Sequence, residues 1–296
     1  MTSAVPDGAL TRATPVVFVL IWSTGFIVAR YGMPHAPPFK FLAVRYALSI
    51  LCFLFWIMLA GVRWPQGRRQ WMHLAITGVL MHGLYLGGVW AAVKEGMGSG
   101  LSALIVGLQP VLTAAWLSST GATVGRRQWA GLALGLAGLT LVVSNKLGQG
   151  RAGDHADLVS LSFAIGALLS ITSGTLYQKR FVEACDVRTA NVVQLGAAFL
   201  ATLPLAVFES ESIRWTTESV GAMAWSVIAL TLGGSSLLYL LIQRGAATAV
   251  TSLFYLVPPC AAMMAWLLFA EPITLTTLAG TALTAFAVSL VVRSVK

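Results

Sequence analysis

The chain has 296 residues, of which 57% are hydrophobic and 10% are charged. Soluble domains carry about 25% charged residues, so this composition excludes a soluble globule and indicates an integral membrane protein. The net charge of +9 would suggest nucleic-acid binding in a soluble chain. In a membrane protein, basic residues instead lie in loops and orient the spans, so we expect no nucleic-acid partner.

The three cysteines, Cys52, Cys185 and Cys260, are odd in number and lie in or near apolar stretches. They indicate no disulfide framework, and their spacing indicates no metal site. We therefore expect neither a metal nor a cofactor. Arg12 precedes the first apolar run, and no small-residue cleavage site follows it, so we interpret this run as a first span rather than a signal peptide.

Ten apolar segments are long enough to cross a bilayer, which takes about 20 residues. In chain order they cover 14–32, 39–61, 71–92, 99–119, 126–145, 157–179, 188–208, 220–242, 247–269 and 273–293. The connections between them are too short to hold a soluble domain. The longest polar connection runs from Lys146 to Asp157 and predicts a linker between two halves. The sequence therefore predicts an all-α integral membrane protein with ten transmembrane helices.

The positions of Lys and Arg predict the orientation. If the N-terminus is cytoplasmic, twelve of these residues fall in inner loops and tails and six in outer loops and span ends. Because basic residues accumulate on the cytoplasmic side, we expect both termini to be cytoplasmic. The expected location is the plasma (inner) membrane of a bacterial type of cell. Below, "outer" and "inner" refer to this predicted orientation.

A constant shift of 149 positions keeps the two halves in register without a gap. It pairs glycines and prolines that have particular backbone roles: Gly25 with Gly174, Gly96 with Gly245, Pro110 with Pro259, and Gly131 with Gly280. Each half has five spans, and because five is odd the second half enters from the opposite side. The sequence therefore predicts two inverted repeats. This architecture is typical of transporters, with the binding site near the midplane between the halves.

Each half also has an apolar fourth span with a central proline, and a fifth span with a glycine near its start. These are Gln109-Pro110 with Gly131, and Pro258-Pro259 with Gly280. With the Ala-Glu-Pro-Ile-Thr stretch at 270–274, they resemble EamA-type members of the drug/metabolite transporter (DMT) superfamily. Ala122 replaces Glu271 in the first half, so this last feature is not symmetric. Within the superfamily the chain resembles the YddG-like exporters of aromatic and other neutral amino acids.

The resemblance implies two inverted five-helix repeats, which we place at residues 1–148 and 158–296, joined by an outer linker at 149–157. The resemblance also makes the positions of the acidic residues relevant to the substrate. No Asp or Glu lies near the centre of any span. Coupled exporters of cationic drugs usually have a buried carboxylate there, as the small four-span relatives do in their first span. We therefore favour a neutral or zwitterionic substrate that moves down its gradient.

Polar residues within spans are candidates for function because burying them in the membrane is costly. His82 lies in the middle of the third span, and Tyr85 shares its helix face at i+3. Gln109 precedes Pro110, where a side-chain amide and freed carbonyls come together. A His82 or Gln109 satisfied by a neighbouring helix is the alternative. Three aromatic residues complete the predicted substrate-binding set: Trp22, Tyr239 and Tyr255.

Proline removes a backbone donor and interrupts a helix, so the paired breaks predict hinges at Gly107, Pro110, Pro258 and Pro259. Arg45 lies about 9 Å inside the outer end of the second span, at about 1.5 Å per residue. It either extends outward along its stem or acts as a gate or as a site for a carboxylate.

The most consistent function is export of small neutral or zwitterionic metabolites, chiefly aromatic and other amino acids, by facilitative alternating access. A proton-coupled exporter of drugs or other metabolites from the same superfamily, or a channel, is the alternative. An enzyme would need a nucleophile with a base, or metal ligands, at membrane depth, and His82 has neither beside it in the sequence. The expected partners are a small-molecule substrate and the lipid bilayer, with no obligate protein partner.

Overall fold

A computed structural model describes residues 9–119, 125–146, 157–243, 256–271 and 273–293. Every regular element in these residues is a helix, which confirms the all-α prediction. The helices are α1 (Ala9–Gly32), α2 (Pro38–Ala60), α3 (Arg68–Lys94), α4a (Ser99–Val106), α4b (Gln109–Ser119), α5 (Arg126–Lys146), α6 (Leu158–Phe181), α7 (Val187–Phe208), α8 (Thr217–Trp225, Ser226–Ser235 and Ser236–Gln243), α9 (Val257–Phe269) and α10 (Leu275–Arg293). They lie within the ten predicted spans, to within a few residues at most ends.

Five of these helices, α2, α3, α6, α7 and α8, are long and apolar enough by themselves to cross a membrane. The others contain shorter apolar stretches. Large apolar side chains cover the outside of the bundle, as Met58, Phe208 and Leu275 illustrate with exposed fractions of 81%, 86% and 84%. An apolar surface of this extent is unsuited to water and fits contact with lipid.

The helix starts follow from local chemistry. Pro38 occupies the first position of α2, where its missing N–H costs nothing. Asp157 and Ser160 form a reciprocal capping box at the start of α6, and Thr216 and Ser219 do the same at α8. These caps satisfy backbone N–H groups that would otherwise lack partners, and thereby fix where the spans begin.

The helices pack as an inverted repeat requires. α2 packs against α7, α4a against α9 and α5 against α10, so each of these helices meets its own counterpart under the 149-residue shift. Several other contacts occur as exchanged pairs. α1 contacts α8 as α6 contacts α3, and α1 contacts α9 as α6 contacts both parts of α4. A pseudo-two-fold axis between the halves accounts for all of these contacts.

Close approach of α5 and α10 depends on glycine. A Cβ atom at Gly138 would lie 2.8 Å from the Gly280 carbonyl oxygen, and one at Gly280 would lie 2.7 Å from the Gly138 carbonyl oxygen. Real Cβ atoms do not approach so near, so only glycine permits this backbone contact. Small residues play this part in membrane helix packing generally.

The fourth span is broken at Gly107 and Leu108, which separate α4a from α4b. Pro110 lies in the first turn of α4b, and it has no N–H to donate to the Val106 carbonyl, so the helix cannot continue through this point. A Cβ atom at Gly107 would lie 2.6 Å from Cγ of Pro258, at the start of α9. The predicted hinge positions of the two halves therefore touch each other.

Candidate substrate site

A cavity lies between the two halves and is lined by residues of α1, α2, α3, α6, α7 and α8. Its volume of about 50 Å³ gives room for a few water molecules. It is lined by Trp22, Gly25, Phe26, Arg45, Met81, His82, Tyr85, Leu86, Val89, Trp90, Gln178, Gln194, Leu230, Ser235, Leu238 and Tyr239. Most of these side chains are aromatic or aliphatic, and a few polar groups project among them. This combination is typical of small-molecule sites.

The lining has the same symmetry as the fold. Five pairs of lining residues are related by the 149-residue shift: Arg45 and Gln194, Met81 and Leu230, Leu86 and Ser235, Val89 and Leu238, and Trp90 and Tyr239. The cavity therefore lies on the pseudo-two-fold axis, with corresponding surfaces of both halves facing it.

Two polar corners of the cavity are also related by this symmetry. In one corner, the Arg45 Nε–H donates to Oγ1 of Thr231 over 3.1 Å. In the other, the Gln194 amide faces His82. Residues 45 and 194 are repeat counterparts, and so are residues 82 and 231. The two corners therefore share one backbone arrangement but differ in charge, since only the first holds a permanent cation.

Arg45 is buried, with 3% of its surface exposed. It bonds to Thr231, halfway along α8, so its side chain turns into the bundle and does not extend outward to the surface. The guanidinium carbon lies 5.9 Å from the ring centroid of Trp90, within the range of a cation–π contact. Among the residues that the structure describes, no carboxylate lies within ion-pair distance of it.

Two π-helical segments border the cavity, at Val79–Leu84 in α3 and Ser226–Ser235 in α8. The 149-residue shift carries 79–84 onto 228–233, inside the second segment. Side chains hold both wide turns. The Tyr46 hydroxyl donates to the His82 carbonyl oxygen over 2.7 Å, and the Thr231 hydroxyl donates to the Ser226 carbonyl oxygen over 2.9 Å. Such segments often occur at functional sites, and sequence reasoning did not predict them.

Four of the six predicted substrate-binding residues lie at this cavity: Trp22, His82, Tyr85 and Tyr239. A side-chain hydrogen bond joins Tyr85 to Trp22, and the Tyr239 hydroxyl lies 3.0 Å from the Cys185 sulfur. These contacts join side chains from different helices around one space.

The other two predicted binding residues do not enter this set. Gln109 is buried outside the cavity lining, and its Nε2 donates to Oγ1 of Thr175 over 3.0 Å. The structure thus agrees with the alternative for Gln109, a bond to a neighbouring helix. Tyr255 lies outside the described residues. Gln178 and Gln194 also line the cavity. The sequence analysis did not name them as site residues, although both are polar residues within predicted spans and therefore candidates for function.

At the outer end of the bundle, acidic residues of the second half cap helices of the first half. The Glu209 carboxylate accepts hydrogen bonds from the N–H groups of Phe39 and Lys40 over 2.9 and 2.8 Å, at the start of α2. The Glu271 carboxylate accepts from the N–H groups of Ser99 and Gly100 over 3.0 and 3.4 Å, at the start of α4a. Carboxylates are favoured at helix N-termini by the helix dipole.

An ion pair and an aromatic stack complete this outer seal. Nζ of Lys94 lies 2.6 Å from a Glu211 carboxylate oxygen, and this contact lowers the pKa of Glu211. Beneath it, Phe41 stacks on Trp90 with ring centroids 4.7 Å apart, and both side chains are buried. We call this set of contacts, at residues 39–41, 90–100, 209–211 and 271, the outer seal.

At the inner end, a neutral amide joins the halves. Gln70 Nε2 donates to the Glu183 carbonyl oxygen over 2.7 Å, and its Oε1 accepts from the Glu183 N–H over 3.2 Å. This reciprocal pair holds the start of α3 against the connection between α6 and α7.

Comparison with known proteins gives consistent matches. The model of the EamA-like transporter family matches residues 14–144 and again residues 158–293. The uncharacterized transporter YvbV of Bacillus subtilis is 24% identical over 92% of this chain and 88% of its own length. The uncharacterized inner membrane transporter YedA of Escherichia coli K12 is 26% identical over 83% of this chain and 78% of its own length.

Another relative, named as a probable amino-acid metabolite efflux pump of Salmonella typhimurium, is 23% identical over 90% of each chain. A solved crystal structure matches with a TM-score of 0.68 at 16% identity, covering 98% of this chain and all of that chain. At this identity, the structural match supports the fold alone.

Proposed function

The chain belongs to the EamA-like transporter family, and from this premise we propose that it carries small neutral or zwitterionic metabolites across the membrane by alternating access. The observation that carries the proposal is the cavity on the pseudo-two-fold axis, lined by corresponding residues of both halves. A site shared by two inverted repeats can be exposed to either side when the halves rock against each other.

Amino acids, aromatic ones above all, are the proposed substrates. Trp22, Tyr85 and Tyr239 offer aromatic surface to an apolar side chain. His82 and Gln194 offer neutral donors and acceptors to its polar end. The name of the Salmonella relative, a probable amino-acid metabolite efflux pump, supports the same substrate class.

The proposed moving units are residues 1–148 and 158–296, joined by the outer linker at 149–157. Opening to the outside would separate the outer seal, while Gly107 and Pro258 would serve as the hinge contact between the broken fourth span and α9. The present cavity is too small for a metabolite, so binding also requires the halves to move apart. We propose export from the cytoplasm across an inner membrane, with both termini cytoplasmic.

Counterflow in proteoliposomes tests this function. Purified protein is preloaded in turn with amino acids, sugars and cationic drugs, and uptake of the labelled compound is followed with and without a pH gradient. We expect saturating, stereoselective uptake of neutral amino acids that does not depend on the pH gradient. Uptake that rises linearly with concentration would indicate a channel. Uptake of cationic drugs driven by the pH gradient would indicate the proton-coupled alternative.

A further inference from the structure

We infer that the Arg45 guanidinium binds a carboxylate of the transported molecule, and that this carboxylate is required for binding while an ammonium group is not. The inference rests on the proposed transport function, and it narrows the substrates to small organic acids with an apolar or aromatic body. Amino acids belong to this class through their carboxylate, and so do the corresponding acids without an amino group.

The cavity contains a buried positive charge. Arg45 is permanently cationic, and it is buried between the halves within the second predicted span. Buried charges in proteins are normally paired, and inside membranes they mark sites of function. Of its five N–H donors, only Nε has a partner among the described residues, the neutral hydroxyl of Thr231.

Among the residues that the structure describes, no carboxylate is available to complete the pair. The ten acidic residues all lie outside the central parts of the predicted spans. The structure places eight of them at helix ends or in connections: Glu95, Asp157, Glu183, Asp186, Glu209, Glu211, Glu218 and Glu271. Of the remaining two, Asp7 precedes the first span in the sequence, and Asp154 falls within the outer linker. The guanidinium therefore faces the cavity with its charge uncompensated by the part of the protein that the structure describes.

The geometry fits a carboxylate ligand. A guanidinium can bind a carboxylate through two parallel N–H···O bonds, which gives both strength and orientation. The repeat counterpart of Arg45 is the neutral Gln194, so the site is electrically asymmetric although its backbone is symmetric. A bound molecule would place its acidic end beside Arg45 and Trp90, and its apolar body against Trp22, Phe26 and Tyr85.

The charges around the cavity also predict that an ammonium group of the ligand is dispensable for binding. The neutral groups at the opposite corner, His82, Gln178 and Gln194, can accept a hydrogen bond from an ammonium but cannot neutralise it. A monoanion compensates Arg45 and leaves the closed cavity neutral. A zwitterion adds an ammonium that also loses its hydration, so the ammonium brings little net gain in affinity.

A series of ligands with one ring and different charged groups tests the inference in the purified wild-type protein. Calorimetry would compare 3-phenylpropanoate, L-phenylalanine, L-phenylalaninamide and phenethylamine. We expect 3-phenylpropanoate to bind at least as tightly as L-phenylalanine, and the amide and the amine to bind at least about tenfold more weakly. Equal affinities for the acids and the amide, or no saturable binding of either acid, would overturn the inference.

Variants locate the effect at Arg45. Arg45→Gln should weaken binding of 3-phenylpropanoate at least about tenfold, and Arg45→Lys should restore part of the loss. Arg30→Gln is the matched control, since Arg30 lies outside the cavity lining and over the Phe269 ring. Unchanged affinity in a folded Arg45→Gln variant would overturn the inference. If that variant does not fold, the wild-type ligand series still decides.

Flux measurements distinguish a failure of the proposed transport function from a failure of the inference. Saturable binding of 3-phenylpropanoate and of L-phenylalanine without flux of either in proteoliposomes would contradict the proposed function and support the inference. Flux of L-phenylalaninamide as fast as that of the acids would support the proposed function and overturn the inference.

Discussion

At the scale of single residues, His82 holds the polar corner opposite Arg45. Its backbone carbonyl accepts a hydrogen bond from Tyr46, so the side chain is carried by a backbone that is fixed independently of the ring. A neutral imidazole offers both a donor and an acceptor to a ligand. We propose that His82 takes part in the recognition of the polar part of the substrate.

We expect His82→Ala to lower saturable uptake about tenfold or more in reconstituted liposomes, which corresponds to the loss of at least about 1.4 kcal/mol of interaction, with expression and folding intact. His73→Ala is the matched control. His73 is a buried histidine of the same helix, and its Nδ1 lies 2.7 Å from the Tyr177 hydroxyl, outside the cavity lining. Uptake by the His82 variant at the wild-type rate would contradict this proposal.

Glutamine residues show how far single positions can be predicted from the sequence. Gln109, Gln178 and Gln194 are all polar residues in apolar spans, so the same rule makes each of them a candidate. The structure places Gln178 and Gln194 at the cavity, and places Gln109 against Thr175 instead. Which way a residue faces depends on the rotation of its helix about its own axis. Packing against neighbouring helices sets that rotation, and the local sequence does not encode it.

At the scale of elements, the positions of the helices follow from the apolar segments, whereas the π-helical segments do not. Apolar runs predicted the spans to within a few residues at most described ends. The wide turns at Val79–Leu84 and Ser226–Ser235 depend on hydrogen bonds from Tyr46, which lies on another helix, and from Thr231 within the second segment. The sequence of the segments themselves reads as ordinary apolar helix, so the change in hydrogen-bond register has no local signal.

The contact between α5 and α10 gives a prediction about stability. Gly138→Ala would place a Cβ atom 2.8 Å from the Gly280 carbonyl oxygen, so the two backbones must separate. We expect a loss of about 1–3 kcal/mol, the usual cost of overpacking, seen as a lower thermal midpoint in detergent. Gly166→Ala is the control, because a Cβ atom there meets nothing within 4 Å. Replacing a helical glycine at such a site gains about 0.5–1 kcal/mol. Equal midpoints for the two variants would contradict this role of Gly138.

The break in the fourth span gives a prediction about flux. Pro110→Ala restores an N–H that can bond to the Val106 carbonyl and thereby favours a continuous helix from α4a into α4b. We expect slower flux at unchanged substrate affinity, because stiffening the hinge affects movement and not the cavity wall. Pro204→Ala is the matched control, since Pro204 lies inside α7 on its exposed face. If Pro110→Ala transports at the wild-type rate, the hinge role is wrong.

At the scale of the whole molecule, the described contacts between the halves differ in chemistry between the outer and the inner end. The outer seal joins the halves through the carboxylates of Glu209, Glu211 and Glu271, each of which bonds to the first half. At the inner end, described contacts between the halves include the amide pair of Gln70 with the Glu183 backbone and the contact of His73 with Tyr177. Alternating access requires the outer contacts to form and break in each cycle, so their strength sets how often the outer end opens.

Acid should weaken the outer seal in a defined direction. The pKa of Glu211 lies below its ordinary value because Lys94 stabilises the carboxylate. The ion pair therefore contributes fully above the ordinary carboxyl range and is lost as the pH falls through the lowered pKa. Glu211 is largely exposed, so its own contribution is small. Acid on the outer side thus acts in the same direction as removing the charges of Glu209 and Glu271.

We expect the double variant Glu209→Gln, Glu271→Gln to open more often to the outside, because each amide is a weaker partner than a carboxylate for the N–H groups at a helix start. The readout is the rate at which a membrane-impermeant thiol reagent, added outside right-side-out vesicles, labels Leu86→Cys at the cavity wall. Cys52, Cys185 and Cys260 are first replaced by alanine. Labelling should become several-fold faster in the double variant. It should stay unchanged in Glu218→Gln, because Glu218 is an outer acidic residue in the first turn of α8 and bonds within its own helix start. Equal labelling rates in the double variant and its parent would show that these two caps do not hold the outer end closed.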